Sequence, residues 1–138
     1  MDMKKLLTLS VIFLLTYSSH AAEVAHIDNV ELQNAIDKEV PIIDVRTTAE
    51  WKETGVIKGS HLIMFYDERG KYDLEAWLDK VSMVANKDEP VILICHSGGR
   101  SKQLAKYLTD VAGYKDVYNV KKGIIYWIKR NNLTVVPQ

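Results

Sequence analysis

One short segment of the chain has the residue types and spacing needed for nucleophilic chemistry. Its residues are Cys95, His96, Ser97, Gly98, Gly99, Arg100 and Ser101. The two glycines permit backbone conformations in which several N–H groups point toward one position. A helix beginning near Arg100 would add its unpaired first-turn N–H groups and the positive end of its dipole. A thiolate at the centre of this loop would be a competent nucleophile, and Arg100 would add a fixed positive charge for an anionic substrate.

The cysteine also has a purely structural interpretation. Cys95 follows the apolar segment Val91–Ile94, and a cysteine at the end of a core strand often acts as a small buried hydrophobe. The glycines, the arginine and the helix start favour a functional thiol instead, because together they would surround an anion with donors. Cys95 is the only cysteine of the chain, so no disulfide can form within it.

The segments around this loop alternate between strand and helix patterns. Apolar and β-branched runs predict strands at 41–45, 61–65, 91–94 and 117–120. Apolar residues at helical spacing predict helices at 30–36, 48–54, 74–84, 101–111 and 123–130. This alternation predicts one α/β domain with a central, mostly parallel sheet and helices on both faces. Ligands bind such sheets at the carboxyl ends of the strands, where the cysteine loop would lie.

The first 21 residues have the layout of a cleaved signal peptide. Lys4 and Lys5 precede a short apolar stretch, and Ser19 and Ala21 are the small residues expected before cleavage after Ala21. The stretch is shorter than the roughly 20 apolar residues that span a bilayer. We therefore expect a mature domain of residues 22–138, exported to the periplasm of a Gram-negative source and not stably inserted in a membrane. An uncleaved amphipathic anchor is the alternative.

The overall composition narrows the classes of partner. The 138 residues carry 18 basic and 18 acidic side chains, so the formal net charge is zero. This balance argues against a nucleic-acid partner, because no global positive charge is available to displace counterions from phosphates. His26, His61 and His96 show no metal-ligand spacing around Cys95, and no dinucleotide or phosphate-binding motif occurs. We therefore expect neither a metal nor another cofactor.

Four segments together resemble the single-domain rhodaneses, which are sulfurtransferases. The cysteine loop matches the family pattern Cys-x-x-Gly-x-Arg. Residues 43–51 are similar to the family's Asp-x-Arg segment, which is followed by a Glu-aromatic pair. Residues 55–60 are similar to its Gly-His-Ile-x-Gly-Ala turn, and residues 123–127 to its closing Gly-x-x-x-Trp segment. The resemblance covers residues 28–131 in family order and is closest to periplasmic rhodaneses of the phage-shock E type. It implies a rhodanese-like single domain.

Four positions depart from the family pattern. Val56 stands where the family usually has His, and Lys122 replaces the first of two glycines. Leu62 and Met64 replace a usual Asn and Pro. These positions lie outside the cysteine loop, so we expect them to affect local packing and the rim of the site more than catalysis.

The resemblance implies a chemistry for the loop. In rhodaneses the cysteine attacks the outer sulfur of a donor such as thiosulfate, becomes a persulfide, and passes the sulfur to cyanide or a thiol. Cys95 would be catalytic, and the substrate-binding residues would be His96, Ser97, Gly98, Gly99, Arg100 and Ser101. Their backbone N–H groups would hold the anionic persulfide. His96 either touches substrate at the rim or is a solvent-exposed loop residue. Arg100 either attracts the sulfonate of the donor, the role we favour, or pairs with a neighbouring carboxylate.

Other residues are expected to support the site or the core. Asp44 and Arg46, at the end of a neighbouring strand, would lie near the pocket, and we favour a structural ion pair or loop brace for them over substrate contact. Trp77, Tyr126 and Trp127 lie at helical spacing and are expected in the core instead of forming a substrate platform.

Two further functions stay open at this point. A cysteine-dependent phosphatase or arsenate reductase has five residues between its cysteine and arginine, whereas this loop has four and would form a tighter ring suited to one sulfur atom. A non-catalytic carrier of persulfide, or an interaction module, would keep the same fold. The expected partners are a small sulfur donor, such as thiosulfate or a persulfide, and a thiol or cyanide acceptor, and we expect a monomer.

Overall fold

The computed structural model describes residues 24–138, so the signal peptide expected over residues 1–21 lies outside it. Within this range strands and helices alternate along the chain. In order they are β1 Ala25–Ile27, α1 Asn29–Asp37, β2 Ile42–Asp44, α2 Thr48–Thr54, β3 His61–Leu62, α3 Leu74–Val84, β4 Val91–Ile94, α4 Gly99–Asp110, β5 Val117–Val120 and α5 Gly123–Lys129.

The strands form one parallel sheet in the order β1-β5-β4-β2-β3. β4 lies at the centre, where Leu93 is in register with Ile43 of β2 and with Asn119 of β5. All four residues of β4 are buried, as expected for a strand covered on both faces. The parallel arrangement brings the carboxyl ends of the strands to one edge, and Cys95 follows β4 at that edge.

Two apolar clusters cover the two faces of the sheet. Successive side chains of a strand point to opposite faces, so Leu93 packs on one side with α3 and α4, and Ile92 on the other with α1 and α5. Trp77 and Leu108 are among the buried residues of the first cluster, and Trp127 of the second. The expected α/β domain with helices on both faces is thereby confirmed.

The structure differs from the sequence-based prediction mainly in short elements. β1 has only three residues and was not predicted, because its sequence Ala-His-Ile lacks a β-branched run. β3 ends at Leu62 instead of residue 65, although the N–H groups of Ile63 and Phe65 still donate to the carbonyls of Asp44 and Val45. Helix α4 begins at Gly99, two residues earlier than predicted. Within residues 24–138, no helix is long and apolar enough to cross a membrane.

Candidate active site

The thiol of Cys95 lies at the carboxyl end of the central strand with only 1% of the residue exposed. Its Sγ accepts a hydrogen bond from the backbone N–H of Gly98 at 3.1 Å and another from the hydroxyl of Ser101 at 3.1 Å. Ser101 is fully buried, so its hydroxyl is held in this small space. Two donors are therefore directed at one sulfur atom, which fixes its position at the end of β4.

More donors of the same loop lack a partner. The backbone N–H groups of five loop residues have no hydrogen-bond acceptor within residues 24–138. They are those of His96, Ser97, Gly99, Arg100 and Ser101. The first backbone bond of helix α4 runs from the N–H of Lys102 to the carbonyl of Gly98 at 3.2 Å. The unpaired groups therefore include the whole first turn of a 12-residue helix. Such donors around a thiol form a site suited to an anion.

The loop depends on two close backbone approaches. Gly98 is the N-cap of α4 with a φ of 94°, and a Cβ there would overlap the carbonyl of Lys121. Gly123 has a φ of 62°, and its Cβ would overlap the carbonyl of His96. The N–H of Ile124 donates to the carbonyl of Cys95 at 2.9 Å. The turn between β5 and α5 therefore packs directly on the cysteine loop.

The side-chain amide of a buried residue on β5 donates a hydrogen bond to the backbone of the cysteine loop. Asn119 is 1% exposed, and its Nδ2 donates to the carbonyl of Gly98 at 3.3 Å and lies 3.0 Å from Nδ1 of His26. Its Oδ1 has no partner within residues 24–138. Asn119 was not among the predicted site residues, although a polar residue inside the apolar segment Val117–Val120 is a signal of a buried hydrogen bond.

Arg100 forms an ion pair with Glu50 of α2. Its Nη1 and Nη2 donate to the two carboxylate oxygens at 2.9 and 2.5 Å. The hydrogen bond from Arg100 lowers the pKa of Glu50 to about 2, and the carboxylate in turn raises the pKa of Arg100. Two roles were considered for Arg100, attraction of the donor's sulfonate and pairing with a neighbouring carboxylate. The structure shows the pairing, whereas attraction of the sulfonate was the favoured role. Glu50 was also missed as a site residue, although Thr47-x-x-Glu50 has the spacing of a capping box, which the structure contains.

Asp44 and Arg46 form the expected ion pair, and neither side chain is exposed. The Nε and Nη2 atoms of Arg46 donate to the two oxygens of Asp44 at 2.9 and 2.7 Å. The guanidinium also donates to the hydroxyl of Thr54 at 2.7 Å and to the carbonyl of Gly55 at 3.0 Å. These bonds join the end of β2 to the end of α2. The pair therefore braces the segment that carries Glu50.

Comparison with known proteins agrees with this geometry. A family model of the rhodanese-like domain matches residues 28–130. The chain belongs to the rhodanese-like domain family. The putative sulfurtransferase YtwF of Bacillus subtilis (strain 168) is 32% identical over 107 residues, which cover 76% of this chain and 91% of that protein. The thiosulfate sulfurtransferase GlpE of Coxiella burnetii (strain RSA 493 / Nine Mile phase I) is 29% identical over 105 residues, with coverage of 76% and 85%.

A solved structure supports the same assignment. The crystal structure of a rhodanese-like domain protein from Staphylococcus aureus aligns with a TM-score of 0.59 and 29% identity, covering 75% of this chain and 91% of that one. The rhodanese-like fold is thus shown by family, sequence and structure.

The rim of this rhodanese-like loop is open on one side. His96, Ser97 and Gly99 are exposed, whereas Gly98 and Ser101 are buried. Trp77 and Trp127 lie in the core as expected.

Tyr126, by contrast, is only half-buried, and its ring lies 4.3 Å from the Nζ of Lys122 instead of packing in the core.

Val56, at the usual histidine position of rhodaneses, is buried and pairs with Val135. Among residues 24–138, no group of three histidine, cysteine or acidic side chains is arranged to hold a metal ion.

Proposed function

We propose that this protein is a sulfurtransferase that moves a sulfane sulfur from a donor such as thiosulfate to a thiol or cyanide through a persulfide on Cys95. The observation that carries the proposal is the set of unpaired N–H groups around a buried thiol that already accepts two hydrogen bonds. A persulfide anion on Cys95 matches the hydrogen-bond donors of this loop.

The chemistry of each half-reaction follows from that arrangement. The Cys95 thiolate attacks the outer sulfur of thiosulfate, a new S–S bond forms, and sulfite leaves with the electron pair of the broken bond. The negative charge then lies on the outer sulfur, where the backbone N–H groups of the loop stabilise it. The acceptor thiolate or cyanide attacks this sulfur, and the electron pair returns to Cys95. No protein base contacts Sγ within residues 24–138, and none is needed for a thiolate.

The test is the intact mass of the protein after thiosulfate and then after cyanide, with Cys95→Ser alongside. We expect wild type to gain one sulfur atom, to lose it on addition of cyanide and to release thiocyanate, and Cys95→Ser to gain nothing. No gain with thiosulfate or with an organic persulfide would overturn the proposal. Loading without turnover by cyanide or any thiol would assign the chain as a carrier instead.

We also propose that residues 1–21 direct export to the periplasm and are removed after Ala21. The basic start, the short apolar stretch and the small residues before the cleavage position support this. N-terminal sequencing of the protein from a periplasmic extract is expected to begin at Ala22. Recovery of the full-length chain in the membrane fraction would show an uncleaved anchor.

A further inference from the structure

A series of contacts connects the edge strand β1 to the thiol. Nδ1 of His26 lies 3.0 Å from Nδ2 of Asn119, and the same Nδ2 donates to the carbonyl of Gly98 at 3.3 Å. The N–H of Gly98 in turn donates to Sγ of Cys95 at 3.1 Å. His26 and Asn119 are in register on neighbouring parallel strands, so their side chains lie on the same face of the sheet. The site described above does not include His26.

The donors and acceptors in this series fix the state of the histidine ring. The carbonyl of Gly98 can only accept a hydrogen bond, so the nitrogen of the Asn119 amide must face it. The second proton of that nitrogen then points to Nδ1 of His26, which must be unprotonated to accept it. The ring of His26 is therefore neutral in this arrangement, with its proton on Nε2.

A proton on Nδ1 of His26 is incompatible with the same arrangement. Two N–H groups would then face each other at 3.0 Å. If the amide of Asn119 rotated to offer Oδ1 to the ring, that oxygen would also face the carbonyl of Gly98, and two acceptors would meet. In both cases the carbonyl of Gly98 loses its donor. Oδ1 has no partner within residues 24–138, so the contacts of Nδ2 alone select the present orientation of the amide.

No carboxylate among residues 24–138 lies within ion-pair distance of His26. Helix α4 packs on β5 at this face of the sheet, and its ionisable side chains are Arg100, Lys102, Lys106, Tyr107 and Asp110. Arg100 and Lys106 are in ion pairs with Glu50 and Asp110. Helix α1 lies on the opposite face, and the ionisable side chains on that side are Glu31, Asp37 and Tyr118. Asp28, two residues after His26, caps α1. The contact with Asn119 is therefore the polar contact of the ring that the structure defines.

We propose that His26 is a positioning residue for Cys95, because its unprotonated Nδ1 orients the amide of Asn119 and so keeps Gly98 in place against Sγ. Protonation of the ring releases the carbonyl of Gly98. The reactivity of the thiol therefore falls as the imidazole takes up a proton, which histidines do between about pH 8 and pH 5. The inference concerns the same thiol as the proposed function, but not the identity of the sulfur donor or acceptor.

The kinetic test is alkylation of Cys95 by iodoacetamide between pH 8 and pH 5. His26→Asn places an acceptor oxygen near the position of Nδ1 without a titrating group, and His26→Leu has no acceptor there. At pH 8 we expect His26→Asn to react like wild type and His26→Leu about threefold more slowly, as for partial loss of one neutral hydrogen bond. At pH 5 we expect wild type to react about threefold more slowly than His26→Asn. The ratio of these two rates cancels the titration of Cys95 and of His96, which both proteins share.

His61→Asn is the matched control for this experiment. His61 is exposed on β3, at the other edge of the sheet, so the ratio of wild type to His61→Asn is expected to stay constant from pH 8 to pH 5. A constant ratio of wild type to His26→Asn would overturn the inference. Alkylation of His26→Leu as fast as wild type or faster, even with lower stability, would also overturn it, because His26 would then only support the fold.

The state of the ring is tested directly by ¹⁵N NMR of the histidine side chains at pH 8. The signals of His26 are those absent from His26→Asn, and we expect a protonated Nε2 and an unprotonated Nδ1. A proton on Nδ1 would contradict the inference. Neither measurement uses a sulfur donor, so failure of the protein to take up sulfur would overturn the proposed function alone.

Discussion

At the scale of single residues, Asn119 connects the cysteine loop to the sheet beneath it. Its side-chain amide donates to the carbonyl of Gly98, whose N–H in turn contacts Sγ of Cys95. Asn119 therefore acts on the thiol through the backbone of Gly98 and is a positioning residue. A neutral hydrogen bond of this kind contributes about 1 kcal/mol.

Removing this amide is expected to make Cys95 less reactive. In Asn119→Ala, the carbonyl of Gly98 loses a fixed partner, so the N–H of the same residue is held less firmly against Sγ, and alkylation of Cys95 by iodoacetamide at pH 7 should slow about fivefold. Asn132→Ala is the matched control, because its amide also donates to a backbone carbonyl, that of Trp127, at 3.0 Å. Wild-type alkylation of Asn119→Ala together with lower stability would show that Asn119 only supports the fold.

The pair of Glu50 and Arg100 predicts a dependence of stability on pH. The pKa of Glu50 falls from 4.5 to about 2 in the folded protein, so folding favours the charged carboxylate. This contribution is fully present above pH 4.5 and is lost as the pH falls from 4.5 toward 2. Both side chains are partly exposed, at 24% and 30%, so solvent screening limits the contribution to about 1 kcal/mol.

The measurement is urea unfolding of wild type and Glu50→Gln between pH 7 and pH 2. We expect Glu50→Gln to be less stable by about 1 kcal/mol at pH 7 and the difference to shrink below pH 4.5. Glu53→Gln, an exposed residue of the same helix, serves as the control. A difference that stays constant across this range would contradict the assignment of the effect to the ionised pair.

Single residues were predictable from sequence where the signal was local. The loop from Cys95 to Ser101 is contiguous, so its own residues were enough to single it out as a candidate site. Glu50 lies 50 positions from Arg100, and Asn119 lies 21 positions from Gly98. These contacts exist because β4 lies between β2 and β5, and an unaligned sequence does not contain that strand order.

At the scale of elements, the turn between β5 and α5 packs against one side of the cysteine loop. Gly123 begins α5 with a positive φ and lies so close to His96 that a side chain has no space. Gly123→Ala is therefore expected to cost more than 2 kcal/mol of unfolding free energy, through strain and displacement of the loop, on the order of other special-φ substitutions.

Gly59→Ala provides the comparison for this substitution. Gly59 has a similar positive φ of 80°, but no atom lies within 4 Å of the added Cβ. We expect it to cost about 1 kcal/mol, which is the conformational penalty alone. Chemical denaturation of both variants measures the two costs. Equal losses would mean that contact with the cysteine loop adds nothing to the stability of the turn.

The elements themselves were predicted to different degrees. The helices were found from apolar spacing, and their observed ends follow caps such as Asp28, whose side chain accepts from two backbone N–H groups. β1 and β3 were missed or overextended because three and two residues are too few for a pattern to repeat. Their place in the sheet depends on pairing with β5 and β2, which is a long-range property.

At the scale of the whole molecule, residues 133–138 pack against the end of α2 and the segment that follows it. The hydroxyl of Thr134 donates to the carbonyl of Thr54 at 2.9 Å, and Val135 forms an antiparallel bridge with Val56. The carbonyl of Leu133 accepts from Nε1 of Trp127 at 3.0 Å. Val56, which stands where rhodaneses usually have histidine, is therefore buried and in contact with Val135.

Deletion of residues 133–138 is expected to destabilise the protein by about 2 kcal/mol, because several net hydrogen bonds and the cover over Val56 are lost. Urea unfolding followed by tryptophan fluorescence measures the change. The double substitution Leu133→Ser/Val136→Ser is the control, since both side chains are more than 80% exposed and the backbone bonds remain. Equal stability of the deleted and full-length chains would show that the tail is only a surface extension.

The burial of Cys95 has a consequence for covalent cross-linking between copies of the protein. A disulfide requires the two α-carbons to approach to about 4.4–6.8 Å, and Cys95 is only 1% exposed, so a second folded chain cannot bring its own Cys95 to this distance. Oxidation of concentrated protein therefore cannot join two molecules unless both loops open. In the proposed persulfide, the same shielding would favour narrow acceptors over the thiols of folded proteins.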